Sequence, residues 1–322
     1  MVLKPAHNPM AADLNEVIDY AAGGSKLLDL AQQTDCYVVI GHPIAHSKSP
    51  LIHGQFARQS GQSIYYGRLL VPQDRFAEAA NWLFGIGVKG ANVTVPFKLD
   101  AFAWAQQVQS IGNMSVLQRH MTVRAQLAGA VNTLKWDGCE LTADNTDGVG
   151  LVNDIALNHQ IAIRGKSVVL LGAGGAARGV LQPLLEQQPA GLTIVNRTVA
   201  KAQALCYEVA KILPAQSLGV VLQASGFDSD LPVPDIIINA TSTGLSDELV
   251  LPANWRTSAS FGKPVLAYDM MYGKATPFMQ WAQAHGAQVA DGLGMLVEQA
   301  AAAFNLWRQV KPDTQAVLQS LR

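Results

Sequence analysis

Short apolar runs separated by amphipathic stretches recur along most of the chain and predict alternating strands and helices. Between the runs, Gln73–Phe84 carries apolar residues three or four positions apart, which is the spacing of one helix face. Strands that alternate with helices are typical of an α/β fold with a largely parallel sheet. The predicted strands are Cys36–Gly41, Ile64–Leu70, Gly90–Pro96, Val168–Leu171, Leu192–Thr198, Asp235–Asn239 and Pro264–Tyr272.

The first 34 residues have a different pattern, with two sets of apolar residues at helical spacing. These sets are Leu14, Val17, Ile18, Ala21 and Leu27, Leu28, Leu30, Ala31. We predict a helical N-terminal extension, residues 1–34, with a packing or dimerisation role.

Several local signals predict further elements. Ser49 is a good N-cap and Pro50 suits the first helical position, so a helix is expected from Pro50 to about Gln59. The segment Leu99–Gln126 is helical in composition but interrupted near Gly112. The Asp137-Gly138 pair between two apolar runs predicts a hairpin. A helix is expected over Gly148–His159 as a bridge between domains.

Composition restricts the class of protein. The chain has 322 residues, 49% of them hydrophobic and 15% charged, with a net charge of -1. The length suits two domains, and no basic patch suggests a nucleic-acid partner. No apolar run approaches a membrane span, and the first 34 residues do not resemble a signal peptide. The 3 cysteines are far apart in sequence, which favours a reducing cytoplasm.

A glycine-rich turn follows the strand Val168–Leu171. The pattern Gly172-Ala173-Gly174-Gly175-Ala176 precedes a helix-compatible segment, and the first helical turn offers unpaired N–H groups to a phosphate. Because such turns also arise for geometry alone, two interpretations stand: a dinucleotide site and a structural turn.

The end of the next strand indicates which dinucleotide would bind. An NAD site places an acidic residue there, to accept hydrogen bonds from the ribose 2′-hydroxyl. This chain has Asn196, Arg197 and Thr198 instead, which suit a 2′-phosphate. NADP is therefore favoured over NAD, and a surface arginine at a strand end is the alternative.

Lys98 and Asp147 are candidates for an acid/base pair. Lys98 follows the end of a strand, and Asp147 lies in the motif DNTDG. A lysine that transfers protons needs partial burial and a carboxylate to orient it. One exposed lysine and one helix-capping aspartate explain the same residues. The cluster His42, His46, His53 lacks a nearby carboxylate or thiolate, so no metal site is predicted.

Nine ordered motifs make the chain similar to the shikimate dehydrogenase family, which includes the quinate/shikimate dehydrogenases. They are GHPIAHSKSP, KGANVTVPFK, AGAVNT, DNTDGVG, GAGGAARGV, NRT, NATSTG, YDMMY and DGLGMLVEQAA. The resemblance covers nearly everything from Cys36 to about Pro312 and implies reversible reduction of 3-dehydroshikimate to shikimate by NADPH, in aromatic amino-acid (chorismate) biosynthesis. The resemblance implies that the binding partner is the substrate, shikimate or 3-dehydroshikimate, and that the protein is a cytoplasmic monomer or homodimer.

The resemblance also implies a role for each matching residue. Lys98 would give a proton to the carbonyl oxygen, oriented by Asp147, while Ser47 and Ser49 would bind the substrate carboxylate. The ring hydroxyls would be held by Asn92, Asn132, Asp147 and Gln299, with Thr94 lining the site and Tyr272 closing over it. The cofactor would contact Gly172, Ala173, Gly174, Gly175, Ala176, Asn196, Arg197, Thr198, Thr241, Ser242, Met270 and Gly292.

The implied fold is an N-terminal α/β substrate domain and a Rossmann-like NADP-binding domain, with C-terminal helices returning to the first domain. We expect residues 35–146 and 293–322 in the substrate domain and 147–292 in the NADP-binding domain. The extension and an apparent insertion near 106–126 depart from the family pattern. Two alternative functions remain: a quinate/shikimate dehydrogenase that uses NAD or NADP, and a non-catalytic NADP-sensing regulator on the same fold.

Overall fold

The computed structural model describes residues 16–213, 219–241, 248–256 and 260–322. The chain divides into two compact units. Unit 1 comprises the described residues up to Ala125 together with Ala130–Thr146 and Ala300–Arg322. Unit 2 comprises Gln126–Gly129 and Asp147–Gln299. Two details differ from the expected domain bounds: residues 126–129 group with unit 2, and the second division falls at 299/300 rather than at 292/293.

Unit 1 is built on a seven-stranded mixed sheet with the strand order β1-β3-β2-β4-β8-β9-β7. Strands β1 to β4 run parallel, and β8 is antiparallel to both of its neighbours. The strands of unit 1 are β1 Ile18–Asp19, β2 Asp35–Gly41, β3 Ile64–Leu70, β4 Gly90–Val93, β5 Ser110–Ile111, β6 Met114–Ser115, β7 Gln118–Met121, β8 Thr133–Trp136 and β9 Glu140–Asp144, of which β5 and β6 form a separate two-stranded ribbon.

Helices cover the faces of this sheet because each one presents an apolar stripe to it. Phe76, Leu83 and Phe84, for example, lie inside the core. The helices numbered along this part of the chain are α1 Ser25–Ala31, α2 Ser49–Gln59, α3 Phe76–Gly85, α4 Lys98–Gln107 and α5 Val123–Ala128.

Unit 2 has the strand order of a dinucleotide-binding fold. Its six strands are all parallel in the order β12-β11-β10-β13-β14-β15, which is the 3-2-1-4-5-6 order of a doubly wound sheet. They are β10 Ser167–Leu171, β11 Gly191–Val195, β12 Val221–Ser225, β13 Ile236–Asn239, β14 Leu266–Asp269 and β15 Gln288–Ala290. The helices are α6 Asp147–Asn153, which continues as a π-helical turn Asp154–Asn158, then α7 Gly175–Glu186, α8 Val199–Ile212, α9 Pro277–Ala284 and α10 Leu293–Arg308. The part of α10 from Ala300 onward belongs to unit 1, as does the last helix, α11 Thr314–Leu321.

The fold class is confirmed, but two local expectations are wrong. Ile18 lies in a short strand beside Leu69 rather than in a helix, because burial at the edge of the sheet outweighs the helical spacing. The stretch Leu99–Gln126 is helical only to Gln107 and again from Val123. Gly112 has φ +56° and turns the chain between β5 and β6, where Ile111 is fully buried.

The hairpin around Asp137-Gly138 is confirmed, with Trp136 opposite Leu141. Strand β12, by contrast, carried no clear apolar run and was not predicted. The part of the chain that the structure describes contains no helix long and apolar enough to cross a membrane.

Candidate active site

The end of strand β4 carries three of the predicted site residues of unit 1. Asn92 lies within the strand and is 5% exposed, while Thr94 and Lys98 follow it and are half-buried. Lys98 is the first residue of α4, and its backbone carbonyl accepts a hydrogen bond from the N–H of Val131. The end of β4 and the segment that leads into α4 therefore carry an amide, a hydroxyl and an ammonium group within seven residues of chain.

The Asn92 side chain makes three hydrogen bonds inside unit 1. Tyr66 donates its hydroxyl to Oδ1 of Asn92 at 2.7 Å. The Nδ2 of Asn92 donates to the backbone carbonyl of Asn132 at 3.2 Å and to Oγ1 of Thr133 at 3.1 Å. These bonds follow from strand pairing, because Asn92 lies opposite Thr133 in the β4–β8 ladder.

The Asn132 side chain is held just as firmly by its oxygen. Its Oδ1 accepts from the Thr133 hydroxyl at 2.9 Å and from the Thr146 backbone N–H at 2.9 Å. The Thr146 hydroxyl is 3.2 Å from the same oxygen. The structure thus brings two predicted substrate residues, Asn92 and Asn132, into one buried polar network.

The two predicted carboxylate ligands also lie together. The Ser47 hydroxyl donates to the Ser49 hydroxyl at 3.2 Å. Arg68 donates to the backbone carbonyl of Ser47 through both Nε, at 3.1 Å, and Nη2, at 2.6 Å. Ser49 is the first residue of α2 rather than its N-cap, which is Lys48, so the predicted capping role is wrong by one position. The hydroxyl pair nonetheless stands at a helix N-terminus that suits an anion.

In unit 2, Asp147 begins helix α6, and two glycines set the position of that helix. A Cβ at Gly148 would lie 2.5 Å from the carbonyl oxygen of Gly179, on α7. A Cβ at Gly150 would lie 2.8 Å from the backbone nitrogen of Gln299, on α10. The backbone of α6 therefore contacts both helices directly, and Asp147 and Gln299 belong to helices in direct contact.

The glycine-rich turn has the shape that a dinucleotide pyrophosphate requires. Gly172 has φ +106°, and a Cβ there would lie 3.1 Å from the carbonyl oxygen of Ala240. At Gly174 and Gly175 a Cβ would meet nothing within 4 Å, and both residues are exposed together with Ala176. The N-cap of α7 is Gly174, which has no side chain to accept the first N–H groups of the helix. The turn therefore fits a phosphate.

The end of β11 presents its predicted residues to solvent. Arg197 and Thr198 are exposed, and Asn196 donates to the backbone carbonyl of Thr198 at 2.9 Å. Arg178 at the start of α7 forms an ion pair with Glu208 of α8, and this bond lowers the pKa of the Glu208 carboxyl. The side chains at this strand end fit an anionic group such as the 2′-phosphate of NADP.

Two neighbouring strand ends hold the remaining cofactor candidates. Asn239, at the end of β13, accepts from the Thr241 hydroxyl at 2.6 Å and donates to Asp269 at 3.1 Å. Asp269, at the end of β14, accepts from the Met271 N–H at 3.0 Å and from the Thr276 hydroxyl at 2.5 Å. The buried Asp269 thereby orders the loop that contains Met270 and Tyr272.

Within that loop, Gly292 packs directly on Met270, since a Cβ at Gly292 would lie 2.3 Å from the Met270 carbonyl oxygen. Met270 is half-buried, and Tyr272 is 36% exposed, with burial of its ring raising the pKa of its phenol. Ser242 lies outside the described residues. Lys98 belongs to unit 1 and Asp147 to unit 2, so their pairing stays a prediction.

Sequence reasoning missed the residues that support the site. Tyr66, Thr133 and Asp269 each hold a predicted residue or its loop, as described above. Asp144 is another, because its buried carboxylate accepts from Arg124 Nε at 2.7 Å and from the Asn145 N–H at 2.7 Å. The only available signal was their position beside motif residues, and each is equally typical of an ordinary strand.

The three histidines do not gather around a common point. His42 contacts the Val71 carbonyl through Nδ1 at 2.8 Å, and His46 is exposed. His53 is fully buried and stacks on Tyr66, and burial lowers the pKa of its imidazole to about 3. Among the described residues, no cluster of three or more potential metal ligands occurs.

The strand order of unit 2, its glycine turn and its strand-end residues define a dinucleotide-binding α/β protein with a second, polar-lined unit. Three family profiles match it: the shikimate dehydrogenase substrate binding domain over residues 39–134, the shikimate/quinate 5-dehydrogenase over 154–268, and the shikimate 5'-dehydrogenase C-terminal domain over 292–322. A relative from Methylobacillus flagellatus, a shikimate dehydrogenase (NADP(+)), is 50% identical over 291 residues, 89% of this chain and 99% of the relative. The chain belongs to the shikimate dehydrogenase family.

Solved structures agree with this assignment. An Ael1 enzyme from Pseudomonas putida is 42% identical, with a TM-score of 0.77 over 89% of this chain and 98% of that one. A shikimate 5-dehydrogenase from Thermus thermophilus, in complex with NADP(H) and shikimate, is 28% identical, with a TM-score of 0.71 over 89% of this chain and 98% of that one. The family assignment made from the motifs is thus confirmed.

Proposed function

We propose that this chain catalyses the reversible reduction of 3-dehydroshikimate to shikimate with NADPH. Support comes first from a shikimate dehydrogenase (NADP(+)) that is 50% identical and is matched over 99% of its own length. The structural observation that carries the proposal is the buried Asn92–Asn132 network, which Tyr66 links to the Ser47–Ser49 pair through hydrogen bonds with Asn92 and Ser49. Such a site suits a small ligand that has several hydroxyls and one carboxylate.

In this proposal, unit 1 binds and orients the substrate. Ser47 and Ser49 donate hydrogen bonds to the carboxylate, and the helix N-terminus beside them favours the negative charge. Asn92 and Asn132 bind ring hydroxyls, with Thr94 lining the site. An analogue that lacks one of these hydroxyls leaves a buried polar group unpaired and is rejected.

NADPH, when bound, supplies the hydride to the carbonyl carbon of the substrate. Lys98 then provides the proton that the carbonyl oxygen gains, and Asp147 orients the lysine. In the reverse direction Lys98 takes the proton from the hydroxyl. Gln299 binds a ring hydroxyl and Tyr272 covers the substrate, which excludes water from the reacting atoms.

The cofactor is held by three parts of unit 2 in this proposal. The turn Gly172–Ala176 binds the pyrophosphate, and Asn196, Arg197 and Thr198 bind the 2′-phosphate. Thr241 would lie near the ribose, and Met270 and Gly292 would contact the nicotinamide. The absence of a carboxylate at the end of β11 is what favours NADP over NAD.

Steady-state kinetics on shikimate and quinate, each with NADP+ and NAD+, test the reaction and the cofactor together. We expect the highest kcat/KM for shikimate with NADP+. A higher kcat/KM for quinate would favour the quinate/shikimate alternative, and no turnover of any pair would favour a non-catalytic regulator.

Two variants test the residue roles. Lys98→Ala is expected to lower kcat by a factor on the order of 10²–10⁴, and the exposed Lys89→Ala is its matched control. Arg197→Ala is expected to raise KM for NADP+ about tenfold or more without changing KM for NAD+, with the exposed Arg164→Ala as control. Activity retained in Lys98→Ala would refute the proton transfer, and equal efficiency of the wild type with both cofactors would refute the phosphate contact.

The protein is further proposed to act in the cytoplasm as a monomer or homodimer, without a nucleic-acid partner. The three unpaired cysteines and the near-neutral net charge of -1 support this. Light scattering on the purified protein would give the oligomeric state.

A further inference from the structure

The orientation of the Asn92 amide determines what this side chain can offer to a ligand. The backbone carbonyl of Asn132 can only accept a hydrogen bond, so the atom of Asn92 that faces it at 3.2 Å must be the NH₂ group. The second hydrogen of that group points to Oγ1 of Thr133 at 3.1 Å. Both donor positions of Asn92 are therefore used within unit 1.

With the NH₂ group fixed, the carbonyl oxygen of Asn92 must face Tyr66. The Tyr66 hydroxyl donates to it at 2.7 Å and occupies one of its two acceptor positions. Burial raises the pKa of the Tyr66 phenol well above its ordinary value, and the Ser49 side chain offsets only part of this effect. The phenol thus keeps its proton at neutral pH and remains a donor.

The Tyr66 ring is itself held in place. It stacks on the fully buried His53 with ring centroids 4.2 Å apart and an interplanar angle of 7°. The imidazole is neutral, so it brings no charge to the network. It interacts with the Asn92 side chain, which offsets part of the lowering of its pKa by burial, but neither ring nitrogen makes a hydrogen bond of normal geometry with a described residue. Tyr66 and Asn92 are therefore fixed partners.

We infer that Tyr66 is a positioning residue that makes Asn92 an acceptor-only contact for the substrate. This inference rests on the proposed function and deepens it. An acceptor pairs with a hydroxyl but not with a carbonyl, which has no hydrogen to donate. The ring substituent that Asn92 binds is therefore a hydroxyl that stays unchanged while another position is oxidised or reduced. Asn92 consequently contributes equally to the binding of substrate and product.

Ring-substituted substrate analogues test this directly on the wild-type protein. For each hydroxyl that is not oxidised, binding is measured for shikimate, for the deoxy analogue and for the analogue with fluorine in its place, because fluorine accepts but does not donate. The hydroxyl that Asn92 binds is the one whose deletion weakens binding to the wild type but not to Asn92→Ala. At that position we expect the fluoro analogue to bind no better than the deoxy analogue. Binding restored by fluorine would overturn the inference.

The variant Tyr66→Phe removes only the hydroxyl and keeps the ring that stacks on His53. We expect KM to rise about fivefold for the substrate in each direction, the loss of roughly one hydrogen bond, with kcat and its pH profile unchanged. Tyr65→Phe is the matched control, since Tyr65 is also buried on β3 but its side chain lies on the opposite face of the strand, in a different apolar cluster. A fall in kcat with unchanged KM would contradict the positioning role.

Wild-type turnover of shikimate with NADP+ is measured first, so the two proposals can fail separately. Absence of turnover by the wild type and by Tyr65→Phe would refute the proposed function. Turnover together with tolerance of fluorine at the Asn92-dependent position would refute only the present inference. Thermal unfolding of both variants shows whether each one is folded, and the analogue series needs no folded Tyr66 variant.

Discussion

Gly150 is the residue whose substitution should most directly couple stability to activity. In Gly150→Ala the new Cβ would lie 2.6 Å from the carbonyl oxygen of Met295 and 2.8 Å from both the nitrogen and the Cβ of Gln299. Ordinary contacts between such atoms are about 3.5 Å, so α6 and α10 must separate by roughly 1 Å at this point. The obstacles are two backbone atoms and a Cβ, so no side-chain rotation relieves the contact.

The cost follows from two opposing effects. Overpacking of a tight contact destabilises by about 1–3 kcal/mol, and alanine in place of glycine within a helix returns about 1 kcal/mol. The net loss is up to roughly 2 kcal/mol, which lowers Tm by up to roughly 8 °C for a unit of this size. Since α6 carries Asp147 and α10 carries Gln299, the same separation should lower kcat/KM by a factor on the order of 10–100.

The assay is thermal unfolding together with steady-state oxidation of shikimate by NADP+. Gly54→Ala is the matched control, because Gly54 is also helical and a Cβ there meets only the flexible Arg58 side chain at 3.6 Å. We expect this control to be fully active and slightly more stable than the wild type. A Gly150→Ala protein with wild-type Tm and wild-type kcat/KM would refute the argument that direct backbone contact positions Asp147.

Three further predictions concern the charged groups that support the site or the sheet. Arg124→Met removes the cation that pairs with the Asp144 carboxylate, whose side chain is 2% exposed. Urea unfolding should show that the free energy of unfolding falls by about 2–4 kcal/mol, and adding Asp144→Asn to the same chain should partly restore it. Asp269→Asn places an NH₂ group opposite the donors Asn239, Met271 and Thr276, which should disturb the loop that contains Met270 and Tyr272. Calorimetric titration should therefore show weaker NADP+ binding, and an unchanged affinity and Tm would contradict this. At Asp235, burial raises the pKa but hydrogen bonds from Ser167 and Lys263 outweigh it and lower the pKa to about 2. The carboxylate of Asp235 therefore stabilises the fold above about pH 4, the ordinary pKa of the group, and this stabilisation is lost as the pH falls toward about 2. The difference in unfolding free energy between wild type and Asp235→Asn should shrink over that range. A difference that stays constant would contradict the assignment.

Much of the fold was predictable because the strands of unit 2 are short apolar runs that end at turns. Val168–Leu171 and Ile236–Asn239 are buried on both faces, so their sequences contain almost nothing but aliphatic residues. Strand β12 was not predictable for the opposite reason: at the edge of the sheet Val221 is 56% exposed and its neighbours are mixed. The pattern of apolar residues in a sequence window indicates how deeply a segment is buried, and an edge strand such as β12 is buried too little to produce a clear pattern.

The same limit explains the two wrong helices. The apolar spacing around Ile18 fits a helix, but pairing with β3 is a contact across about fifty residues of chain that no local window contains. In the segment after Gln107, Gly112 indicated an interruption but not that a hairpin and an edge strand would follow. Tertiary pairing overrides propensity where a segment lies beside an open sheet edge.

For the candidate site, the motifs named candidate residues but gave no indication of how their side chains are held. Nothing in the spacing of Asn92 and Asn132 shows that the first is held at both ends of its amide, whereas the oxygen of the second accepts from Thr133 and Thr146. That difference comes from the alignment of β4 with β8 and from Tyr66, a residue on a third strand. Hydrogen-bond direction requires coordinates, because sequence gives donors and acceptors without their partners.

The hairpin between β8 and β9 makes the length of the turn at Asp137-Gly138 important for the polar network around Asn132. Thr133 pairs with Asp144 across this hairpin, and the backbone N–H of Thr146, two residues further on, donates to Oδ1 of Asn132. Side chains alternate across a strand, so a shift of β9 by a single position would turn the residues that pair with β8 to the other face. Changes of residue type in the turn leave this pairing intact, whereas insertion or loss of one residue would move Thr146 away from Asn132. The length of a remote surface turn thus helps to fix how a buried asparagine is held.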